Sequence, residues 1–210
     1  MAELLAEVIA WNADPAWGIS AEAMQDPRVR KAILLALDRD AIIKNIVPGG
    51  ASGVAIDSKG DIWVLQRAAA GQPQLFQFDR RFKLVRTVPN AVIGRLEKGH
   101  GIKVDGQDNV WITDANLAIA MKLSPEGKLL TTIGTRNKRG DWDESKGQRL
   151  LWQPLDIAFG PGGDIYIAEG HANESPNDVG GAPDNRIGAA RILHLDRNGK
   201  FINQWYGNQI

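Results

Sequence analysis

The sequence predicts a mainly β protein built from three similar units, and three observations support this fold class. A short apolar strand, a tight turn and a strand with a central aromatic residue occur three times. The aromatic residues Trp63, Trp111 and Tyr166 stand 48 and 55 residues apart. From Ser52 onward, apolar residues also alternate with polar or small ones, as in half-buried strands. A repeat of roughly 40–50 residues made of short strands is typical of β-propeller blades.

The first 48 residues have a different character and predict short helices. Asp26 followed by Pro27 suits the start of a helix. The apolar residues after this pair recur at helical spacing: Val29, Ala32, Ile33, Ala36 and Leu37. Pro48 and two glycines then mark a boundary. We therefore predict a short α-helical segment over residues 1–48 and a β region over residues 49–210.

Each repeat predicts a four-stranded antiparallel blade, at about residues 50–90, 98–135 and 152–207. The last two strands of each unit are joined by a turn, in which Gly127 and Gly199 suit a positive φ. We expect Trp63, Trp111 and Tyr166 to pack at equivalent positions between blades.

Two long segments interrupt the blades, at residues 136–151 and 171–188. In the first, the basic residues from Arg136 to Arg139 are followed by Asp141, Asp143 and Glu144. This balance of charge predicts a solvated loop rather than an anion site.

Composition narrows the classes of partner. Lys plus Arg and Asp plus Glu both number 25, so no net charge favours nucleic acid or an acidic membrane surface. The chain has no cysteine, which excludes disulfides, thiolate metal sites and a cysteine nucleophile. The opening residues lack the pattern of a signal peptide, and no apolar run approaches the roughly 20 residues that span a bilayer. The cellular compartment stays open.

The helical segment carries one resemblance. Residues 26–43, Asp-Pro-Arg-Val-Arg-Lys-Ala-Ile-Leu-Leu-Ala-Leu-Asp-Arg-Asp-Ala-Ile-Ile, are similar to an internal segment of the solute-binding proteins of peptide-type ABC transporters. The similarity covers about residues 10–48, a small part of such a protein. It implies a helical appendage and no ligand-binding residue.

A second resemblance covers about residues 52–207. The segments that carry it are 99–105, 109–114, 153–158 and 199–205. They resemble the NHL-repeat propellers and, within these, the peptidyl-α-hydroxyglycine α-amidating lyases. The resemblance implies a six-bladed ring, of which this chain holds three blades.

The lyase resemblance also implies site residues and cofactors. By position, His100 resembles a zinc-ligand histidine, and Val54 and Ile102 resemble residues whose backbone carbonyls bind calcium. Arg67 resembles the active-site arginine that faces the substrate carboxylate. Imidazole nitrogen suits zinc and oxygen donors suit calcium. The remaining zinc histidines of the family fall beyond residue 210, and His171 stands near the place of the family's catalytic tyrosine.

Each of these residues also has a plainer interpretation. His100 is either an inherited site residue or a hydrogen-bonded turn residue, and Arg67 either a site residue or part of a strand-end salt bridge. His171 is a loop candidate or an ordinary polar loop residue. We expect His194, whose counterparts are Gln77 and Lys122, to face solvent.

Three functions remain open at this stage. The first is a non-catalytic NHL-type binding module for a protein or peptide ligand. The second is a metal-dependent lyase-like enzyme completed by another chain, with zinc and calcium as its cofactors. The third is a truncated or rearranged gene product without independent function. Because three blades leave two apolar faces, we expect a partner: the helical segment on one face, or a second copy that completes a six-bladed ring. Both resembled families are commonly exported.

Overall fold

The computed structural model describes residues 51–170 and 190–206. The predicted helical segment and the segment containing His171 lie outside these ranges. Within them, the chain forms three four-stranded antiparallel sheets and one two-stranded sheet. In these same ranges no helix has the length and apolar character needed to cross a membrane.

The three large sheets confirm the predicted four-stranded blades, and each has its strands in chain order. Blade 1 consists of β1 (Ala51–Ile56), β2 (Ile62–Gln66), β3 (Leu75–Phe78) and β4 (Leu84–Val88). Blade 2 consists of β5 (Gly99–Val104), β6 (Val110–Asp114), β7 (Ile119–Leu123) and β8 (Leu129–Gly134). Blade 3 consists of β11 (Pro154–Phe159), β12 (Ile165–Glu169), β13 (Arg191–Leu195) and β14 (Phe201–Tyr206).

Short elements connect the blades. A single helical turn, α1 (Asn90–Ile93), follows blade 1. Between blades 2 and 3, β9 (Trp142–Asp143) pairs with β10 (Gln148–Arg149) around a 3₁₀ turn (Glu144–Lys146).

Most charged residues of the segment 136–151 are exposed, as expected of a solvated loop, but the segment is also anchored to the blades. Trp142 and Leu151 are buried in it. The Arg136 guanidinium donates hydrogen bonds to the carbonyls of Ile93 (2.7 Å) and Arg95 (3.1 Å). Buried apolar side chains and satisfied donors hold this segment against its neighbours, which its charge pattern alone does not reveal.

Each blade has two faces, which we name by the aromatic residue of its second strand. The trailing face carries Trp63, Trp111 or Tyr166, and the leading face is its opposite. The trailing face of blade 1 packs on the leading face of blade 2, where Trp63 shares a core with Ile102. The trailing face of blade 2 packs likewise on blade 3, where Trp111 shares a core with Ile157. The predicted packing of these two tryptophans between blades is confirmed.

A repeated hydrogen bond fixes the aromatic residue in two blades. Asp105 accepts from Trp111 Nε1 (2.9 Å), and Asp57 accepts from Trp63 Nε1 (3.3 Å). The same aspartates accept backbone N–H groups of the turn that follows, so each carboxylate joins a turn to the core.

The trailing face of blade 3 has no described blade packed on it. Ile192 and Trp205 are each 36% exposed there. Their equivalents in blade 2, Ala120 and Ile133, are buried between blades. The position of Tyr166 thus matches that of the two tryptophans, but its face is open.

Candidate functional site

The innermost strands β1, β5 and β11 lie side by side, and each is irregular near its beginning. The pairing register shifts between Ala51 and Gly53, between Gly99 and Ile102, and between Pro154 and Asp156. Such bulges re-aim side chains at the end of a strand. We give the name axial site to the residues at this end of the inner strands: Arg67, His100, Thr113, Leu155 and Asp156.

His100 lies within the irregular part of β5 and is half-buried. Its Nδ1 lies 3.1 Å from the carbonyl oxygen of Leu155 on the neighbouring inner strand. A carbonyl only accepts, so Nδ1 carries the hydrogen and donates, and in the neutral ring the lone pair is then on Nε2. A ring held in this way by a backbone carbonyl is the usual arrangement of a histidine that binds a metal, and equally of a structural histidine.

Thr113 joins β5 and β11 at the axial site, and sequence reasoning missed it. Its hydroxyl accepts from the N–H of Gly101 (2.8 Å) and donates to the carbonyl of Leu155 (2.9 Å). The side chain is fully buried. The sequence signal for this role is that Thr113 stands at the position that Leu65 occupies in blade 1 and Ala168 in blade 3.

Arg67 follows β2 and lies beside the first residues of β5. Its Nε donates to the carbonyl of Gly99, 3.2 Å away, and the residue is exposed. Within residues 51–170 and 190–206 no carboxylate forms an ion pair with it. The cation is thus held next to His100 by the backbone rather than by an acid.

Asp156 adds a carboxylate that sequence reasoning also missed. Its Oδ2 pairs with Lys103 Nζ at 3.1 Å, with both side chains about half exposed. A Cβ atom added to Gly101 would lie 2.9 Å from Asp156 Oδ1 and 2.5 Å from the Leu155 carbonyl. Glycine at this position therefore permits the close approach of β5 and β11 that assembles the site.

Val54 and Ile102 occupy equivalent positions, directly after the irregular part of β1 and β5. The two strands are close here, since a Cβ atom on Gly53 would lie 2.8 Å from Ile102 Cγ2. The structure thus places the two backbones that the resemblance implies for calcium on neighbouring strands.

The other two histidines do not join His100. His171 lies outside the described residues. His194 is on the trailing face of blade 3, and the expectation that it faces solvent is wrong. Its Nε2 donates to Asp164 (2.9 Å), and its ring stacks on Tyr166 and Trp205 with centroid distances of 4.3 and 5.9 Å. The equivalent residues of blades 1 and 2, Gln77 and Lys122, face the next blade. His194 therefore lies on the kind of surface that packs against another blade.

Sequence reasoning also missed a buried ion pair in blade 3, between Glu169 at the end of β12 and Arg191 at the start of β13. Arg191 Nε donates to Glu169 Oε2 (2.6 Å), and both side chains are buried. Burial raises the pKa of the Glu169 carboxyl, against the lowering effect of the Arg191 guanidinium. Glu169 also accepts from the N–H of Trp152 (2.7 Å), so the pair anchors the segment that enters β11.

The donor set present does not by itself make a zinc site. Among the described residues, no three His, Cys, Asp or Glu side chains are grouped closely enough to hold a metal ion. His100 has the tautomer that suits one ligand, but the three-histidine set implied by the resemblance is not assembled there.

Comparison with known proteins places this fold in context. No protein-family model matches the chain. The peptidylglycine α-amidating monooxygenase of Rattus norvegicus is 27% identical over 183 residues, covering 76% of this chain and 16% of the relative. Peptidyl-α-hydroxyglycine α-amidating lyase 2 of Drosophila melanogaster is 28% identical over 174 residues, covering 73% of this chain and 38% of the relative. Lyase 1 of the same organism is 30% identical over 112 residues, covering 52% and 17%. The chain thus spans well under half the length of each of these relatives.

Two solved structures show the same fold. A catalytically inactive variant of virginiamycin B lyase from Staphylococcus aureus, solved with quinupristin, has a TM-score of 0.50 and 17% identity, and the match covers 75% of this chain and 41% of that one. A protein of unknown function from Bacteroides thetaiotaomicron has a TM-score of 0.50 and 17% identity, with 74% and 35% covered. At these identities the likeness concerns the fold alone.

The described blades and these comparisons define the class of protein: a partial β-propeller. In sequence, the chain is similar to the amidating lyases named above, which confirms the resemblance predicted for residues 52–207. The comparisons give no support to the resemblance of residues 10–48 to solute-binding proteins.

Proposed function

We propose that the three blades form a ligand-binding module whose site is the axial site. The observation that carries the proposal is the hydrogen bond from Arg67 Nε to the Gly99 carbonyl. It holds a permanent cation beside the imidazole of the next residue, His100. A guanidinium has five N–H donors in a planar fork, so those not used on Gly99 can bind a carboxylate.

The relatives suggest which carboxylate. Their names describe enzymes that act on peptidyl-α-hydroxyglycine or peptidylglycine, and both end in a free carboxylate. We propose that this module binds the carboxyl-terminal end of such a peptide, with Arg67 on the carboxylate and His100 at the neighbouring position. Neither group needs to change its covalent structure for this role.

Calorimetric titration tests the proposal with two peptides of one sequence, one ending in α-hydroxyglycine and one ending in a carboxyl-terminal amide. We expect the acid to bind about tenfold more tightly than the amide, and Arg67→Gln to abolish the difference. Arg81→Gln, an exposed arginine on the β3–β4 turn, is the matched control and should change nothing. Equal affinity for both peptides in the wild-type chain would refute the proposal.

The alternative function is a metal-dependent lyase-like enzyme, and one observation favours it. The Leu155 carbonyl accepts from His100 Nδ1 and so orients the ring, as backbone carbonyls do for histidines that bind a metal. In this proposal His100 holds zinc with histidines from another chain, and the carbonyls of Val54 and Ile102 hold calcium. Zinc, when bound, would supply a base strong enough at neutral pH to take a proton from the substrate hydroxyl.

Two measurements separate enzyme from binding module. Elemental analysis of the purified chain should show stoichiometric zinc that is lost in His100→Ala but kept in the control His194→Ala. Mass spectrometry should show the hydroxyglycine peptide converted to its amide: the Cα–N bond breaks, the nitrogen gains a proton, and the hydroxyl carbon leaves as glyoxylate. Peptide binding without zinc and without amide would leave the binding module as the function.

A further inference from the structure

The segment that joins α1 to β5 holds a guanidinium group at each of its ends through backbone carbonyls. At its beginning, Arg136 donates hydrogen bonds to the carbonyls of Ile93 (2.7 Å) and Arg95 (3.1 Å). Directly after its end, Arg67 donates to the carbonyl of Gly99 (3.2 Å). The α1–β5 segment thus leads from one fixed cation to a second one, which belongs to the axial site.

A glycine gives the first of these guanidinium groups its place. Gly94 has a φ of 68°, and a Cβ atom there would lie 2.7 Å from Arg136 Nη2, so a larger residue would have to displace the guanidinium. The two carbonyls use two of the five N–H donors of Arg136, and three remain for a ligand. The cation is therefore held in position without being neutralised.

Two further cations lie on the segments that meet at this contact. Arg95 is exposed in the α1–β5 segment, and Lys138 is exposed in the turn after β8, where its N–H donates to the carbonyl of Thr135. We call Arg95, Arg136 and Lys138 the basic cluster. Because β5 begins and β8 ends at the same end of blade 2, the basic cluster and the axial site lie at one end of the blades.

The acids that balance these cations along the sequence do not pair with them in space. Asp143 pairs with Lys146, with Oδ2 2.7 Å from Nζ. Glu144 pairs with Arg149, with Oε2 3.2 Å from Nη2. Both acids therefore neutralise cations of the β9–β10 hairpin, and the expectation that charge balance excludes an anion site does not hold for the basic cluster.

Two more acids are close to the cluster in sequence. Asp141 accepts a hydrogen bond from Trp152 Nε1 (3.0 Å), and Glu97 is exposed in the α1–β5 segment. Within residues 51–170 and 190–206, neither of them nor any other acid forms an ion pair with a member of the basic cluster. Its cations can therefore bind a ligand anion without breaking an existing ion pair. Glu97 is a charge that opposes such a ligand.

We infer that the basic cluster binds acidic side chains of the peptide whose carboxyl-terminal end lies at Arg67. The inference rests on the proposed function, which sets the direction of the peptide. The carbonyls of Arg95 and Gly99 are four residues apart, so at most about 14 Å separates them. An extended peptide rises about 3.3 Å per residue. The ligand class is therefore a peptide with acidic residues about three or four positions before its carboxyl terminus.

Calorimetric titration tests the inference with two peptides that both end in α-hydroxyglycine. They differ only at the third and fourth positions before the end, which carry two glutamates in one and two glutamines in the other. We expect the glutamate peptide to bind about tenfold more tightly at low salt, and this advantage to shrink as salt concentration rises. The double variant Arg95→Gln, Lys138→Gln should remove most of the advantage and leave the affinity for the glutamine peptide unchanged. Both of these side chains are exposed, so their loss should not unfold the chain.

A variant with the opposite effect guards against misinterpretation. Glu97→Gln removes the opposing charge and should tighten binding of the glutamate peptide about twofold, without changing that of the glutamine peptide. A gain in affinity cannot come from loss of folded structure. Arg81→Gln, on the β3–β4 turn at the other end of blade 1, is the matched control and should leave the preference for glutamate unchanged.

Versions of both peptides that end in an amide separate this inference from the proposed function. Equal affinity for the glutamate and glutamine peptides, in a chain that still prefers the acid end to the amide, would overturn the inference alone. A preference for glutamate that survives the double variant would overturn it as well. If the acid end gives no advantage over the amide, the proposed function fails and this inference fails with it.

Discussion

Single residues in the turns of this protein show where the repeat is ideal and where it is not. The turn before the last strand of each blade has a residue in the left-handed region. Gly127 (φ 77°) and Gly199 (φ 82°) fill it in blades 2 and 3, as predicted, but Phe82 (φ 59°) fills it in blade 1. A bulky side chain in this region costs about 1–2 kcal/mol relative to the right-handed helical region.

We therefore expect Phe82→Gly to raise the free energy of unfolding by about 1 kcal/mol. The phenyl ring is 46% exposed, so little packing is lost with it. The opposite change at the equivalent position, Gly127→Ala, should lower stability by more than this, because the new Cβ also meets Val88. Urea unfolding of the two variants measures both effects. A destabilised Phe82→Gly would show that the ring's contacts outweigh the backbone strain.

Asp105 supports a second prediction at this scale. Burial opposes its ionisation, but hydrogen bonds from Trp111, Asn109 and Gln107 outweigh that effect and lower its pKa. A carboxyl whose pKa is lowered by folding stabilises the native state above its unfolded pKa of about 3.9, and this contribution is lost as pH falls through the folded value.

We expect Asp105→Asn to cost about 1–3 kcal/mol at pH 7, since an amide cannot accept all the hydrogen bonds that the carboxylate does. The difference between wild type and variant should narrow as pH falls below about 4, because the Asp105 carboxyl of the unfolded wild type then takes up a proton while the native one stays ionised until its lower pKa is reached. Denaturant unfolding at pH 7 and pH 3.5 tests this. A difference that stays constant with pH would show that packing, not charge, accounts for the loss.

At the scale of strands, close contact of the inner strands assembles the axial site. Gly101 of β5 faces the Leu155 carbonyl of β11, and the hydroxyl of Thr113 bridges the two backbones. These contacts set the orientation of His100, because the carbonyl that Thr113 binds is the one that accepts from the imidazole. The site therefore depends on strand separation as much as on residue identity.

Gly101→Ala should cost about 1–3 kcal/mol, because its Cβ would lie 2.5 Å from a backbone oxygen that cannot move without parting the strands. Gly106→Ala, in the next turn, is the matched control: an added Cβ meets nothing within 4 Å, and the change should stay within about 0.5 kcal/mol. Thermal unfolding compares the two. Similar effects from both would contradict the proposed close packing of β5 on β11.

At the scale of the whole molecule, two exposed apolar surfaces match each other. On the leading face of blade 1, Val54 and Ile56 are 42% and 52% exposed, while Ile62 and Val64 on the same face are buried. Their equivalents in blade 3, Ile157 and Phe159, pack against Trp111. The open trailing face of blade 3 presents Tyr166 at the position of that tryptophan. Innermost strand β1 of one copy can therefore pack on blade 3 of a second copy, as adjacent blades do within one copy.

We expect the chain to form a dimer in which two copies are related by this contact, measured by light scattering after gel filtration. Ile192→Asp and Ile56→Asp should each weaken the dimer by placing a charge in the contact, and a mixture of the two variants should retain one intact contact. Ile202→Asp, at an isoleucine that is 48% exposed in the irregular part of β14, should not change the mass. A monomeric wild type at high micromolar concentration would refute a second copy as the partner.

The blades themselves could be predicted from the sequence because their determinants are local. Alternating apolar residues, turn residues such as Gly127 and the aspartate before each tryptophan act over a few positions, so the repeat, the four-stranded sheets and the residues between blades follow from the pattern. The tertiary structure decided what lies between distant segments. His100 and Leu155 are 55 residues apart, and Glu169 and Arg191 are 22 apart. The β7–β8 hairpin of blade 2 docks on blade 1, whereas the equivalent hairpin of blade 3 leaves Gly199 without a neighbour. No local sequence pattern predicts these contacts, because each depends on how neighbouring sheets pack against each other.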